Sequence, residues 1–277
     1  MLPCSTKLAA LLLLAAAAPA ERGFRWRSTP PQTGVPRERR PAPSPALASQ
    51  GQALYERTCA TCHGTGGRGD GVIASHLLTP PRDFTQAVFK VRSTPSGSLP
   101  TDLDLFQTIS RGMHGTDMAP WARLSERERW ALVEHLKSLS PRFGGETPEP
   151  SVAVPPPPRW SRSALKKRGE ALYWQLQCRN CHGPAGRGDG PGVREYASEG
   201  KRVRIRDLAR ADFVRGDDAR DIFLTLRTGM DGTPMGAYEL PPEELWSLAY
   251  YVREVLRRPP APEPAARGEE SDPGASH

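Results

Sequence analysis

The sequence contains little cysteine, histidine and methionine. Of its 277 residues, five are Cys, six are His and five are Met. Cys4 precedes an apolar N-terminal run and the other four cysteines fall in two short motifs, so none is left for a structural disulfide. Signals for β-strands are weak, with Val-Arg-Ile-Arg at 203–206 as the one short candidate. The scarcity of such signals argues against a β-rich fold and predicts an all-α one.

An excess of acidic residues is also absent, and the formal net charge is +7. Much of the basic excess lies in residues 21–50, which hold six Arg and two Glu. The remainder is spread thinly over the chain, without the basic stripe that a nucleic-acid-binding protein presents. We therefore predict no nucleic-acid partner.

Two Cys-x-x-Cys-His motifs hold the four remaining cysteines, at 59–63 and 178–182. This pattern is the attachment signature of c-type haem, in which two thiols bond the porphyrin edge and the adjacent histidine ligates the iron. The alternative is a zinc site made of all four thiols, which would not explain a histidine directly after each second cysteine. The motifs predict two covalent haem c groups, attached through Cys59, Cys62, Cys178 and Cys181 and ligated by His63 and His182.

The motifs belong to a longer internal repeat. Each copy opens with a helix that starts Gly-x-Ala-Leu-Tyr, at 51 and at 169, and continues after the motif into a loop ending Gly-Arg-Gly-Asp-Gly. Each closes with an amphipathic helix, of which the first has a capping box formed by Ser125 and Glu128. The repeat predicts two tandem α-helical domains at 49–140 and 164–258, here called the first and second domains.

The segments outside the repeat read as targeting and linking sequence. Residues 1–20 resemble a cleaved signal peptide, because a short apolar run follows Lys7 and ends in Ala-Pro-Ala. The run is too short to span a bilayer, although a retained anchor is the alternative. We expect cleavage after Ala20 and a periplasmic protein. The remaining predictions are a disordered spacer at 21–48, a Pro-rich linker at 141–163 and a disordered tail at 259–277.

The second iron ligand is predicted to be methionine. Beyond Met1, the methionines form two pairs at matching places in the repeats, Met113 with Met118 and Met230 with Met235. Before the chain end, the second copy offers no histidine other than His182, whereas the first also contains His76 and His114 as rival ligands. We favour the later methionine of each pair, which follows Gly-Thr-x and precedes an aromatic residue. Met113 and Met230 remain alternatives.

Each copy resembles a class I, mitochondrial-type cytochrome c domain, and the whole resembles a dihaem bacterial cytochrome c. The resemblance covers roughly 49–140 and 166–258 and rests on the opening helix, the haem motif, the Met loop and the closing helix. It implies a proline carbonyl that accepts a hydrogen bond from the proximal histidine, for which Pro80 or Pro81 is available in the first domain. Arg82 and Arg206 are candidates for pairing with haem propionates or for structural contacts.

The function expected from this resemblance is electron transfer. The chain would carry single electrons between redox protein partners and would not be an enzyme, with no small-molecule substrate. It would act alone or as a subunit of a respiratory complex, and association with a membrane complex is left open. The alternative is a dihaem peroxidase, which requires an open or releasable iron position. The four methionines argue against that alternative.

Overall fold

The computed structural model describes residues 35–192, 196–198, 201–203, 205–210 and 213–257. The predicted signal peptide at 1–20, the spacer residues 21–34 and the predicted tail at 259–277 lie outside the described residues. Within the described ranges the chain forms two helical units, which confirms the all-α, tandem-domain prediction. No helix in these ranges combines the length and the apolar character needed to cross a membrane.

Five α-helices build the first domain, with two short 3-10 helices between the second and the third. The α-helices are α1 (Pro45–Thr58), α2 (Ala60–His63), α3 (Asp102–Arg111), α4 (Glu126–Ser138) and the single turn α5 (Arg142–Gly145). The predicted capping box starts α4, with the Glu128 amide donating to Ser125 and the Glu128 carboxylate accepting in return. Thr101 and Asp104 form a second capping box at the start of α3.

Helices α1 and α4 cross at a glycine. A Cβ on Gly51 would lie 1.9 Å from the carbonyl oxygen of Ala131, so only glycine allows the two backbones to approach this closely. One turn further along α1, the Tyr55 ring packs on His135 with centroids 4.9 Å apart. The buried residues Phe106 and Trp130 stack beneath the crossing. The crossing therefore supports the end of α1, where the first haem motif begins.

Helix α1 begins four residues before the predicted boundary at 49. Ser44 caps it, and Pro45 occupies the first turn, a position in which proline is well tolerated. The residues just before the cap are also attached to the first domain. The backbone amide of Arg37 donates to the Glu126 carboxylate (2.9 Å), and Arg40 pairs with Glu134. The disordered spacer predicted for 21–48 is thus wrong for its last part.

The second domain repeats this arrangement. Its helices are α6 (Arg162–Gln175), α7 (Cys178–His182), α8 (Ala219–Thr228) and α9 (Pro242–Tyr250), which continues as a π-helical segment (Tyr251–Leu256). Gly169 takes the place of Gly51 at the helix crossing, and Tyr173 packs on Tyr251 with ring centroids 5.4 Å apart.

A short antiparallel hairpin interrupts the helical pattern of the second domain. Its strands are β1 (Tyr196–Ser198) and β2 (Lys201–Val203), with Tyr196 opposite Val203. The strand candidate at 203–206 overlaps the observed strand only at Val203.

The Pro-rich linker lies against both domains. After α5, residues 146–161 have no regular secondary structure. The amide of Val152 donates to the Ser93 carbonyl of the first domain (2.8 Å), and the Trp246 indole of the second domain donates to the Pro155 carbonyl (3.1 Å). The helical turn α5 occupies the start of the segment that was predicted as an extended linker.

Candidate haem-binding sites

Both Cys-x-x-Cys-His motifs lie on short helices that follow the opening helix of each domain. In the first domain, Cys59 ends α1 and the motif continues through α2, and in the second domain the motif forms α7. The four cysteines are partly buried and form no disulfide with one another. Across the described residues, no three His, Cys, Asp or Glu side chains gather as they would around a metal ion. The zinc alternative therefore has no supporting geometry.

The loop after each motif is a tight turn fixed to the motif itself. The buried Tyr55 hydroxyl donates to the Gly64 carbonyl (2.8 Å), and Tyr173 does the same to Gly183 (2.6 Å). Gly64 has φ +78°, and a Cβ there would collide with the Asp70 carboxylate. The repeated Arg-Gly-Asp sequence thus belongs to the turn that follows the proximal histidine.

Each proximal histidine is oriented by a backbone carbonyl. The Nδ1 atom of His63 lies 3.5 Å from the Arg82 carbonyl oxygen, and that of His182 lies 3.4 Å from the Arg206 carbonyl oxygen. Such a contact to Nδ1 orients the imidazole for metal binding through Nε2. The structure places the carbonyl of Arg82, one residue after Pro81, at the position expected for Pro80 or Pro81. In the second domain the counterpart is the Arg206 carbonyl, for which the sequence offered no candidate.

The surroundings of the two histidines suit iron ligation. The Phe84 ring stacks on the His63 imidazole with centroids 4.5 Å apart, which restrains the ring. In the second domain, burial lowers the pKa of His182 below its ordinary value of 6.5, and the Arg206 carbonyl partly opposes this shift. Burial thus favours the neutral imidazole, which is the form that binds metals.

The two methionine loops have the same conformation. The Met113 amide donates to the Met118 carbonyl (2.9 Å), and the Met230 amide donates to the Met235 carbonyl (2.9 Å). Within each loop a threonine hydroxyl donates to the carbonyl of the earlier methionine, from Thr116 and Thr233, each at 2.6 Å. Because the loops are closed in the same way, a ligand assigned in one domain applies to the other.

A crevice in the second domain brings together most of the predicted site residues of that domain, with Cys181 outside its lining. The motif residues Cys178 and His182 line it, and so do both Met230 and Met235. Its other walls are largely apolar and include Leu208, Phe213, Ile222, Leu226, Leu248 and Val252. Lys90 and Val91 of the first domain also contribute to the lining. A haem needs these features: attachment thiols, ligands for the iron and an apolar enclosure.

The basic side chains of the crevice fit the charged edge of a haem. Arg206 and Arg215 line the crevice together with Lys90. The Nε atom of Arg215 is buried and has no hydrogen-bond partner among the described residues. Burial lowers the pKa of Arg215 to about 10, so the side chain is still charged at neutral pH. A buried donor without a partner is costly, and a propionate would satisfy it.

The two rival ligands of the first haem, His76 and His114, differ from the methionines in their exposure to solvent. His76 and His114 are exposed, whereas Met113 and Met118 are partly buried. Cys59 and Trp121 pack against the buried core of the first domain. The predicted set His63, Met118, Cys59 and Cys62 therefore lies on the elements that match the second-domain crevice.

Sequence reasoning missed the contacts between the two domains. The Arg206 guanidinium donates to the Gly115 carbonyl in the Met loop of the first domain (2.7 Å). Reciprocally, Arg82 donates to the Asp231 carbonyl in the Met loop of the second domain (3.4 Å). The structure thus shows a structural contact for each arginine, and Arg206 also lines the crevice of the second domain. Their matching positions in the repeat were the available signal, but the distance between the domains cannot be read from the sequence.

Comparisons with known proteins agree with this geometry. Residues 46–136 match the family described as cytochrome c oxidase, cbb3-type, subunit III, and residues 166–256 match the family described as cytochrome c. No curated protein sequence matches the chain. A chain in the structure of a reducing HAO-like protein complex from Kuenenia stuttgartiensis is 40% identical. The alignment covers 76% of the present chain and 96% of that one, with a TM-score of 0.73. The present chain belongs to the cytochrome c family, as a tandem of two cytochrome c domains that bind two c-type haems covalently.

Proposed function

We propose that this dihaem protein is an exported electron carrier whose irons are held by His63 with Met118 and by His182 with Met235. Cytochrome c domains carry out haem-based electron transfer, and the two domains here supply the two haems. The observation that supports methionine ligation is the second-domain crevice, in which Cys178, His182, Met230 and Met235 line one enclosure. The closed loops of the two domains extend the assignment to the first haem.

The later methionine of each loop is the better ligand candidate. Met235 is partly buried and packs against the hydrophobic core of the second domain. Three residues on, Tyr238 also packs there, and its amide donates to the Leu226 carbonyl at the end of α8 (2.9 Å). The Trp121 amide makes the same bond to the Ile109 carbonyl in the first domain (3.0 Å). In both domains, the segment after the later methionine is thus hydrogen-bonded to the preceding helix, which restricts its motion.

Histidine and methionine ligation suits electron transfer. Methionine as the axial ligand raises the reduction potential of a haem, and a filled sixth position leaves no site for a substrate. The protein residues orient the imidazoles, exclude water with apolar walls and offer cations to the propionates. A dihaem peroxidase would need a releasable ligand, and the anchored segments around Trp121 and Tyr238 work against release.

A subunit of a larger redox complex is the favoured setting for this electron transfer. The related chain from Kuenenia stuttgartiensis is part of a reducing HAO-like protein complex, and the present chain covers 96% of it. We propose that this protein docks similarly on a redox protein partner. Co-purification of the tagged full-length protein from its own cells would identify that partner. Recovery of the protein alone at its monomeric mass, under gentle low-salt conditions, would favour a free shuttle.

The proposed location is the periplasm, after cleavage at Ala20. The proposal is supported by the short apolar run at 8–18 and by the fact that every cysteine after the run belongs to a haem motif. Mass spectrometry of the mature protein should find Glu21 as the N-terminal residue. Retention of residues 1–20 in the membrane fraction would favour the anchor instead.

Methionine variants test the ligand assignment directly. Met118→Ala and Met235→Ala should each open one haem to carbon monoxide and lower its midpoint potential, because the iron loses its axial ligand. Met113→Ala and Met230→Ala are matched controls in the same loops and should leave carbon monoxide binding low. If the controls open the haems and the later variants do not, the earlier methionines are the ligands. If the wild-type ferrous protein binds carbon monoxide readily at both haems, the peroxidase alternative gains support.

A further inference from the structure

A buried arginine of the first domain reaches into the second. Arg92 has a fully buried side chain. One of its terminal nitrogens donates to the Thr228 carbonyl (2.6 Å) and to the Asp231 carboxylate (2.7 Å), both in the second domain. The remaining donors bind the Pro95 carbonyl (3.0 Å) and the Phe89 carbonyl (3.1 Å) of its own domain. A buried guanidinium is tolerated only when it is paired and hydrogen-bonded, so these partners define its position.

The Asp231 carboxylate is held almost entirely by the first domain. Besides Arg92, it accepts from the Ser96 hydroxyl (2.7 Å) and from the Gly97 amide (2.8 Å). Hydrogen bonds to an ionised carboxylate are roughly twice as strong as neutral ones. Asp231 directly follows Met230 and lies inside the loop that closes from Met230 to Met235. Hydrogen bonds from the first domain therefore hold the methionine loop of the second domain in place.

The methionine loop of the first domain is held in another way. There the carboxylate of Asp117 accepts from the Leu78 amide (2.8 Å), which belongs to the same domain. The residue that corresponds to Asp231 is His114, and it is exposed. The two loops thus share a backbone conformation but differ in what fixes them.

We propose that Arg92 and Asp231 are positioning residues for the second haem: the ion pair between the domains holds the Met230–Met235 loop so that its methionine stays on the iron. This inference rests on the proposed function, in which that loop supplies the axial ligand. A loop that loses its charged anchor opens more often, and the population with the ligand detached rises accordingly. The ligation and potential of the second haem then depend on docking of the first domain. In the first domain, the carboxylate of the methionine loop is held within its own domain, and the contact from the second domain is the hydrogen bond from Arg206 to the Gly115 backbone carbonyl.

The test compares two carboxylate variants in the full-length holoprotein. Asp231→Asn keeps the shape of the side chain and removes its charge, and Asp117→Asn is the matched control in the other loop. We expect Asp231→Asn to increase carbon monoxide binding at one haem by about tenfold or more, since removing one partner of a buried charge pair is strongly unfavourable. The affected haem should be the one that Met235→Ala opens, and its midpoint potential should fall. Asp117→Asn should leave that haem unchanged.

Several results would overturn the proposal. The first is an Asp231→Asn variant whose two haems bind carbon monoxide and have midpoint potentials as in the wild type. The second is a change in this variant that is confined to the haem that Met118→Ala opens. Asp231→Glu preserves the charge and should restore most of the wild-type behaviour, so a loss equal to that of Asp231→Asn would also count against the ion pair. If instead all four methionine variants leave both haems unchanged, the proposed ligand set fails and not the contact between the domains.

A milder variant covers the case in which Asp231→Asn does not fold. Ser96→Ala removes a single donor to Asp231 from the surface of the first domain. It should raise carbon monoxide binding at the same haem by about threefold to tenfold, since it removes one exposed hydrogen bond to Asp231 and leaves the others in place. A stoichiometry of two haems and a wild-type circular dichroism spectrum would establish folding. No change at that haem in the folded variant would refute the proposal.

Discussion

Adding one methyl group at Gly169 is expected to force apart the two helices that cross in the second domain. A Cβ at this position would lie 2.2 Å from the Ser247 carbonyl oxygen and 2.7 Å from the Tyr251 Cβ. Normal contacts between such atoms are about 3.5 Å or more, so α6 and α9 must separate by roughly 1 Å. The nearest obstacle is backbone, which cannot rotate away as a side chain would.

The net cost of Gly169→Ala follows from two opposing effects. Overpacking of a core costs about 1–3 kcal/mol, and the rigid obstacle places this site at the upper end of that range. Alanine recovers about 1 kcal/mol through its higher helix propensity. We therefore expect a loss of about 2 kcal/mol in the free energy of unfolding of the second domain. For a domain of this size the melting temperature should fall by about 8–16 °C.

Urea denaturation of the holoprotein, followed by far-ultraviolet circular dichroism, measures this loss. Gly144→Ala is the matched control, because Gly144 also lies in a helix but a Cβ there would meet no atom within 4 Å. The control should leave the stability unchanged or raise it by up to about 1 kcal/mol, because it gains the helix propensity of alanine without a clash. If Gly169→Ala is as stable as Gly144→Ala, the argument from close helix approach is wrong.

Three further substitutions probe the same framework. Burial lowers the pKa of His135 below 6.5. Below that pH the unfolded chain binds a proton that the folded chain does not, so the free energy of unfolding decreases as the pH falls. The decrease is up to about 1.4 kcal/mol per pH unit. His135→Phe should flatten this dependence in urea titrations from pH 7.5 to 5, and an unchanged slope would exclude His135 as its source. Tyr173→Phe leaves the Gly183 carbonyl without its buried donor and should cost about 1–3 kcal/mol in the same assay, with no loss arguing that water replaces the hydroxyl. Ser125→Ala removes the cap of α4 and should cost about 1 kcal/mol, whereas an unchanged midpoint would show that the cap is replaced.

The local features of the fold were predictable because short stretches of sequence specify them. The haem motif needs five consecutive residues, and the capping box of α4 needs only Ser125 and Glu128. The glycines at 51 and 169 repeat in register with the haem motifs, which marks them as parts of one unit. Such signals depend on neighbours in the chain, so they can be read without knowing the distant contacts.

The contacts between the domains were not predictable for the opposite reason. Arg92 and Asp231 are separated by 139 residues, and each alone looks like a solvated surface charge. The early start of α1 was hidden by composition, because the Pro- and Arg-rich stretch before it has no apolar periodicity. The carbonyl beside His63 was misplaced by one residue, since any backbone carbonyl in that turn has the same chemistry. The tertiary structure determines all three features: the contact between the domains, the start of α1 and the carbonyl beside His63.

The contacts of Arg82 and Arg206 fall on adjacent positions of the opposite methionine loops, so they relate the two domains approximately as the halves of a two-fold dimer are related. In such an interface, a residue of one half contacts a site on the other half, and the equivalent residue returns the same contact. A homodimer must carry every substitution twice, so its two centres remain identical. Joining the halves in one chain removes that constraint, because each domain can then be substituted separately. His114 and Asp231, which occupy equivalent positions in the two methionine loops, differ in this way. Each redox centre can therefore acquire its own potential by mutation, while the interface that keeps the two centres together is preserved.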